Sequence, residues 1–172
     1  MVKDDYTSLS DSELATKDDA VASGLADGSL VPNDLGQHLR RLANTAFSTG
    51  RKQAVTLLER WALRPPTAEP LHQSWAVFSL FATGFWGTAE RVLLDLLRTP
   101  SGRDIILRLV AGTYIVPTGS GFMSLDMPEA ELAECRAVLS GQRPYADPVQ
   151  KLQPLLLEFV RGLRAKGQGG WD

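Results

Sequence analysis

Apolar residues recur at helical spacing through most of this chain. Leu35, Leu39, Leu42 and Ala46 follow one another at steps of four, three and four, which lays one apolar stripe along a helix. Pro32-Asn33-Asp34 ahead of the stripe is a start signal, and Gly50 interrupts it. Ala54, Leu57, Leu58 and Trp61 then resume the pattern until Pro65-Pro66 ends it. The two stretches read as two helices joined at Ser48–Gly50 or as one bent helix. Upstream, Ser10 with Glu13 three residues on matches a capping box, and Gly28 is a stop signal. The helix between them has only a thin apolar face, made of Leu14, Val21 and Leu25.

The segment from Leu71 to Thr83 is apolar on nearly every face, as in a helix surrounded by others. Trp75, Phe78, Leu80 and Phe81 are its bulk. Thr88 to Arg98 carries Ala89, Val92, Leu93, Leu96 and Leu97 on a broad face, and Arg103 to Ala111 reads as a short buried helix after the Pro100-Ser101-Gly102 turn, with a strand the alternative that its Ile-rich content leaves open. Tyr114-Ile115-Val116, a Pro-Thr-Gly-Ser-Gly turn and Phe122 to Leu125 resemble a small hairpin. Two more helices are expected, from Glu129 to Leu139 and from Pro148 to about Lys166, the last kinked at Pro154. The expected fold is therefore all-α and bundle-like, with about seven helices around a central apolar helix at 71–83 and one minor β-hairpin near 114–125. Residues 1–30 read as an acidic, partly flexible arm, 31–166 as a single helical domain and 167–172 as a flexible tail.

Length and composition agree with one domain: 172 residues, 44% hydrophobic and 22% charged. Such a chain buries roughly 70% of its unfolded surface and needs no metal or disulfide staple. Cys135 is the only cysteine, so an intramolecular disulfide is excluded. The opening MVKDDYTSLSD has neither the basic nor the apolar region of a secretory signal. The longest uncharged stretch, 70–89, is too polar at both ends for a membrane span. A cytoplasmic protein without membrane contact is expected.

Charge is unevenly distributed. Residues 1–34 hold two lysines against eight acids, a net −6, and residues 35–64 hold six basic residues against Glu59 alone, a net +5. The acidic arm could lie on the basic segment of its own subunit or of a neighbour, and an ordinary solvated surface is the simpler reading.

Candidate chemistry is sparse. His38, His72 and Cys135 stand on separate segments and form no metal-ligand spacing, so no metal and no cofactor are expected. Cys135 falls at helical spacing with Leu132 and Leu139, as a core thiol does. Thr118-Gly119-Ser120-Gly121 lacks the lysine of a phosphate loop. If 34–63 were one helix, Arg40 would align with Arg51 and Arg41 with Lys52, a basic strip suited to phosphates. The pI near 5.7 and the lack of interleaved aromatics argue against nucleic acid.

These features favour a non-enzymatic interaction or assembly subunit: an adaptor, an inhibitor or immunity-type partner, or a shell component. Its partner would be another protein or a second copy. The expected interaction surface comprises Arg40, Arg41, Arg51, Lys52, Trp61, Trp86 and Trp171, the tryptophans being chosen because they stand at segment ends. A nucleic-acid-associated protein using the basic 40–52 face is the alternative. A small enzyme with a site around His72 or His38 is the third reading.

Overall fold

The computed structural model describes residues 5–110, Ala130, Ala133 and 170–172. Six helices follow in order: α1 (Asp11–Asp27), α2 (Pro32–Thr49), α3 (Lys52–Leu63), α4 (Pro70–Leu80), α5 (Trp86–Leu97) and α6 (Pro100–Val110). The expectation of an all-α domain with a minor hairpin is corrected. The described residues form an all-α bundle of six helices with no strand or hairpin among them, and 114–125 lies outside those residues. A single hairpin is marginal without support, so the Gly-rich turn and its β-branched flank were weak grounds for one.

Local chemistry sets the helix ends. The Ser10 hydroxyl accepts from the Glu13 N–H, and the Glu13 carboxylate accepts from the Ser10 N–H, closing a reciprocal cap on α1. That bond to the Ser10 N–H holds the Glu13 carboxyl below its usual pKa. Asp34 accepts from the Val31 N–H at the start of α2, whose first residue is Pro32. Gly50, at φ 67°, ends α2 in the left-handed region, so 34–63 is two helices and not one. Pro100 opens α6, where the Thr99 hydroxyl accepts from the Gly102 N–H.

The core follows the apolar stripes. Leu35, Leu39, Leu42 and Ala46 of α2 and Ala54, Leu57, Leu58 and Trp61 of α3 are all buried. α4 packs against α2, α3, α5 and α6, and every residue from Ser74 to Leu80 is buried, so it is the central helix. Between α5 and α6 the backbones approach closely: a Cβ on Gly102 would lie 2.1 Å from the Leu96 carbonyl oxygen. α1 packs on α2 and α3 through Leu14 and Val21. None of the described helices is long and apolar enough to cross a membrane.

Candidate functional site

Two clusters of polar and aromatic side chains stand out, one inside the bundle and one on its surface. The inner cluster surrounds Asp18 of α1, which is fully buried. Its Oδ1 accepts from His38 Nε2 and from Trp61 Nε1, both at 2.7 Å, and its Oδ2 accepts from Arg60 Nη1 at 3.0 Å. With hydrogen on Nε2, His38 accepts at Nδ1 from the Tyr6 hydroxyl, 3.0 Å away. The Tyr6 N–H continues to the Thr45 hydroxyl, which donates to the Arg41 carbonyl. Each buried polar group of this network has a partner, which is what a low-dielectric interior requires of a carboxylate.

The same network explains much of the charge pattern. Arg60 also donates to Asp19, Arg51 donates to Asp11 at 2.7 Å, and the Arg41 guanidinium lies 5.9 Å from the centre of the Tyr6 ring. Residues 5–19 thus lie along the basic face of α2 and α3 of their own chain. Arg51–Asp11 is a surface pair, for which roughly 0–1 kcal/mol is usual. The buried bonds at Asp18 matter more.

The second histidine, His72, sits at the start of α4. Its Nδ1 is 2.7 Å from the Thr67 hydroxyl, and its ring packs against Trp61 and Trp75. Burial pushes its pKa below the usual histidine range, opposed by the charge of Glu69. Among the described residues, no group of three or more His, Cys, Asp or Glu could hold a metal ion.

The outer cluster joins residues 170–172 to two corners of the bundle, the α2–α3 turn and the α4–α5 turn. The N–H groups of Gly170 and Trp171 both donate to the Gly84 carbonyl, at 2.9 and 3.2 Å. The Trp171 ring stacks on Phe85, with centroids 6.5 Å apart and planes 30° from parallel. Its Nε1 donates to the Phe47 carbonyl at 3.2 Å. Gly50 forms the other wall, since a Cβ there would lie 2.7 Å from the indole. The Asp172 carboxylate accepts from the Gly87 N–H and the Thr88 N–H, both at 2.8 Å, and from the Thr88 hydroxyl at 2.6 Å.

Those donors stand in the first turn of α5, where N–H groups lack partners within the helix and the helix dipole favours an anion. A glycine suits the first position of this segment, because Gly170 has φ 101°. An aromatic ring with an N–H suits the second, and a carboxylate the third. We call the arrangement the clamp. Beside Asp172 a groove of about 290 Å³ opens over Val55 and Phe85, flanked by Lys52, Thr56, Glu59 and Thr88. Glu59 is bonded to Arg91 of α5, which ties the two sides of the groove together.

The residues expected to form the interaction surface separate into three groups. Trp61 and Trp86 are in the core, Trp61 bonded to Asp18 and Trp86 with a buried Nε1 that has no partner among the described residues. Arg40, Arg41 and Arg51 are half-buried, Arg41 and Arg51 meeting Tyr6 and Asp11, and the break at Gly50 removes the single-helix alignment of Arg40 with Arg51 and Arg41 with Lys52. Lys52 and Trp171 are exposed and belong to the clamp and its groove. Phe47, Phe85, Gly87 and Thr88, which complete the clamp, were not among the expected residues. The Gly84-Phe85-Trp86-Gly87-Thr88 turn was visible in the sequence, but nothing local connects it to residues 170–172. No family model, curated protein or solved structure matches the chain.

Proposed function

We propose that the chain is a non-enzymatic protein-interaction or assembly subunit of the cytoplasm, and that the clamp is its working surface. The observation that carries this reading is the seat of Gly170-Trp171-Asp172. Main-chain hydrogen bonds, an aromatic stack and a carboxylate on a helix N-terminus are together the means by which folded domains hold short peptide segments. The exposed aromatics reinforce it: Phe47 and Trp171 are 46% and 47% exposed and adjoin each other, with Lys52 alongside. Both ring nitrogens of His38 are engaged and His72 is buried between tryptophans, and neither histidine lines the groove beside Asp172. This arrangement favours a binding role over acid–base chemistry at either ring.

The reading is tested with the W171A/D172A double variant, whose clamp lacks its own ligand, and a labelled peptide of sequence Gly-Gly-Trp-Asp. Saturable binding with a Kd of about 10–100 μM is expected, weakened about tenfold when the peptide's Asp becomes Asn. Absence of binding to a variant with unchanged thermal unfolding contradicts the reading.

A further inference from the structure

The clamp is filled from within. Residues 170–172 of the chain itself take up the Gly84 carbonyl, the Phe85 ring, the Phe47 carbonyl and the Gly87 and Thr88 N–H groups. Resting on the reading of the clamp as a peptide site, we infer that this segment is the site's built-in competitor. It holds the clamp shut, and a partner segment of the same chemistry, an aromatic residue followed by a carboxylate, binds only by displacing it.

The geometry leaves no room for two occupants. The indole lies between Phe85, on which it stacks, and Gly50, where even a Cβ would come within 2.7 Å of it. A second ring cannot enter beside the first. Both N–H groups of the α5 start that the clamp offers an anion are engaged by Asp172, as is the Thr88 hydroxyl. A partner's carboxylate finds these donors only when Asp172 has left them. The resident segment is nevertheless open to competition from solvent, since Trp171 is 47% exposed and Asp172 is exposed. A carboxylate released there is hydrated and not stranded in an apolar interior.

Tethering sets the strength of such a gate. A segment on the same chain faces its site at an effective concentration on the order of 1 mM. Against a Kd of about 10–100 μM for the free peptide, the closed form outweighs the open one by about 10–100 to one, and the apparent affinity for a partner falls by that factor. A gate also has a signature that a purely structural contact lacks. A change that weakens residues 170–172 as a ligand tightens the binding of a partner to the chain that carries it, by the same factor while the closed form predominates.

Titration of labelled Gly-Gly-Trp-Asp into the full chain and two variants, Asp172→Asn and W171A/D172A, tests the inference. The wild type is expected to bind the peptide about 10–100-fold more weakly than W171A/D172A. Asp172→Asn is expected to bind it about tenfold more tightly than the wild type, mirroring the loss when the same change is made in the peptide. Equal affinity in all three chains overturns the gate and leaves the clamp standing as a peptide site. Absence of binding to a folded W171A/D172A removes the peptide site and the gate with it. Should the double variant lose its fold, Asp172→Asn, which keeps the shape of the segment, decides alone: affinity no higher than that of the wild type overturns the inference.

Discussion

Asp18 and Asp172 receive the same kind of attention from the chain and are put to different uses. Each carboxylate collects several donors, and each has a tryptophan beside it whose indole N–H is also satisfied. Asp18 is fully buried, and its donors come from α2 and α3, so it fastens α1 to the bundle. Asp172 is exposed, and it accepts from the Gly87 and Thr88 N–H groups and the Thr88 hydroxyl at the start of one helix, so its contacts stand at the surface of the bundle. Burial decides the difference. The loss of one partner leaves a desolvated charge in the first case and a hydrated one in the second.

Substitutions can break this contrast in order of size. Asp18→Ala strands the His38 and Trp61 N–H groups and the Arg60 contact together. A loss of about 3–5 kcal/mol is expected in urea unfolding, the scale found when one partner of a buried pair is removed. Gly102→Ala drives a methyl group onto the Leu96 carbonyl and should cost about 1–3 kcal/mol by the same measurement, with no effect on the clamp. Gly50→Ala touches both regions: left-handed strain of about 1–2 kcal/mol appears in unfolding, and displacement of the indole appears as weaker seating of residues 170–172. Asp172→Ala, despite removing several hydrogen bonds, should lower stability by only about 1 kcal/mol, as for a lost helix cap. A loss as large as that of Asp18→Ala would end the contrast.

His72 adds a smaller effect that depends on pH. Burial lowers its pKa in the folded chain, so below about pH 6.5 the unfolded chain binds more protons than the folded one. Stability should therefore fall as pH decreases through that value toward the folded pKa, where the loss is complete. His72→Gln should flatten the dependence of Tm on pH between about 7 and 5, with the Asp18 network unaffected.

The two regions also differ in how visible they were in the sequence. Helix ends were legible because their causes are local: Ser10 with Glu13, Gly28, Pro32, Gly50 and Pro65-Pro66 act within a few residues of themselves. The central position of α4 was legible from its lack of a polar face. Asp18 was not, since it sits in an acidic run beside Asp19, and only tertiary packing separates the buried acid from its exposed neighbour. Trp61 and Trp86 stand at segment ends, but their neighbours on the helix surface decide burial, and both lie in the core. Trp171 also stands at a segment end, and its neighbours there are supplied by residues more than eighty positions away.

The central claim is that residues 170–172 act as a ligand in the clamp, and the amide protons of Gly87 and Thr88 report on it most directly. In the wild type they donate to Asp172. The account predicts slow hydrogen exchange at these two amides, fast exchange in W171A/D172A, and restored protection when Gly-Gly-Trp-Asp is added to that variant. Exchange that is equally fast in both chains, or protection that the peptide fails to restore, would contradict it.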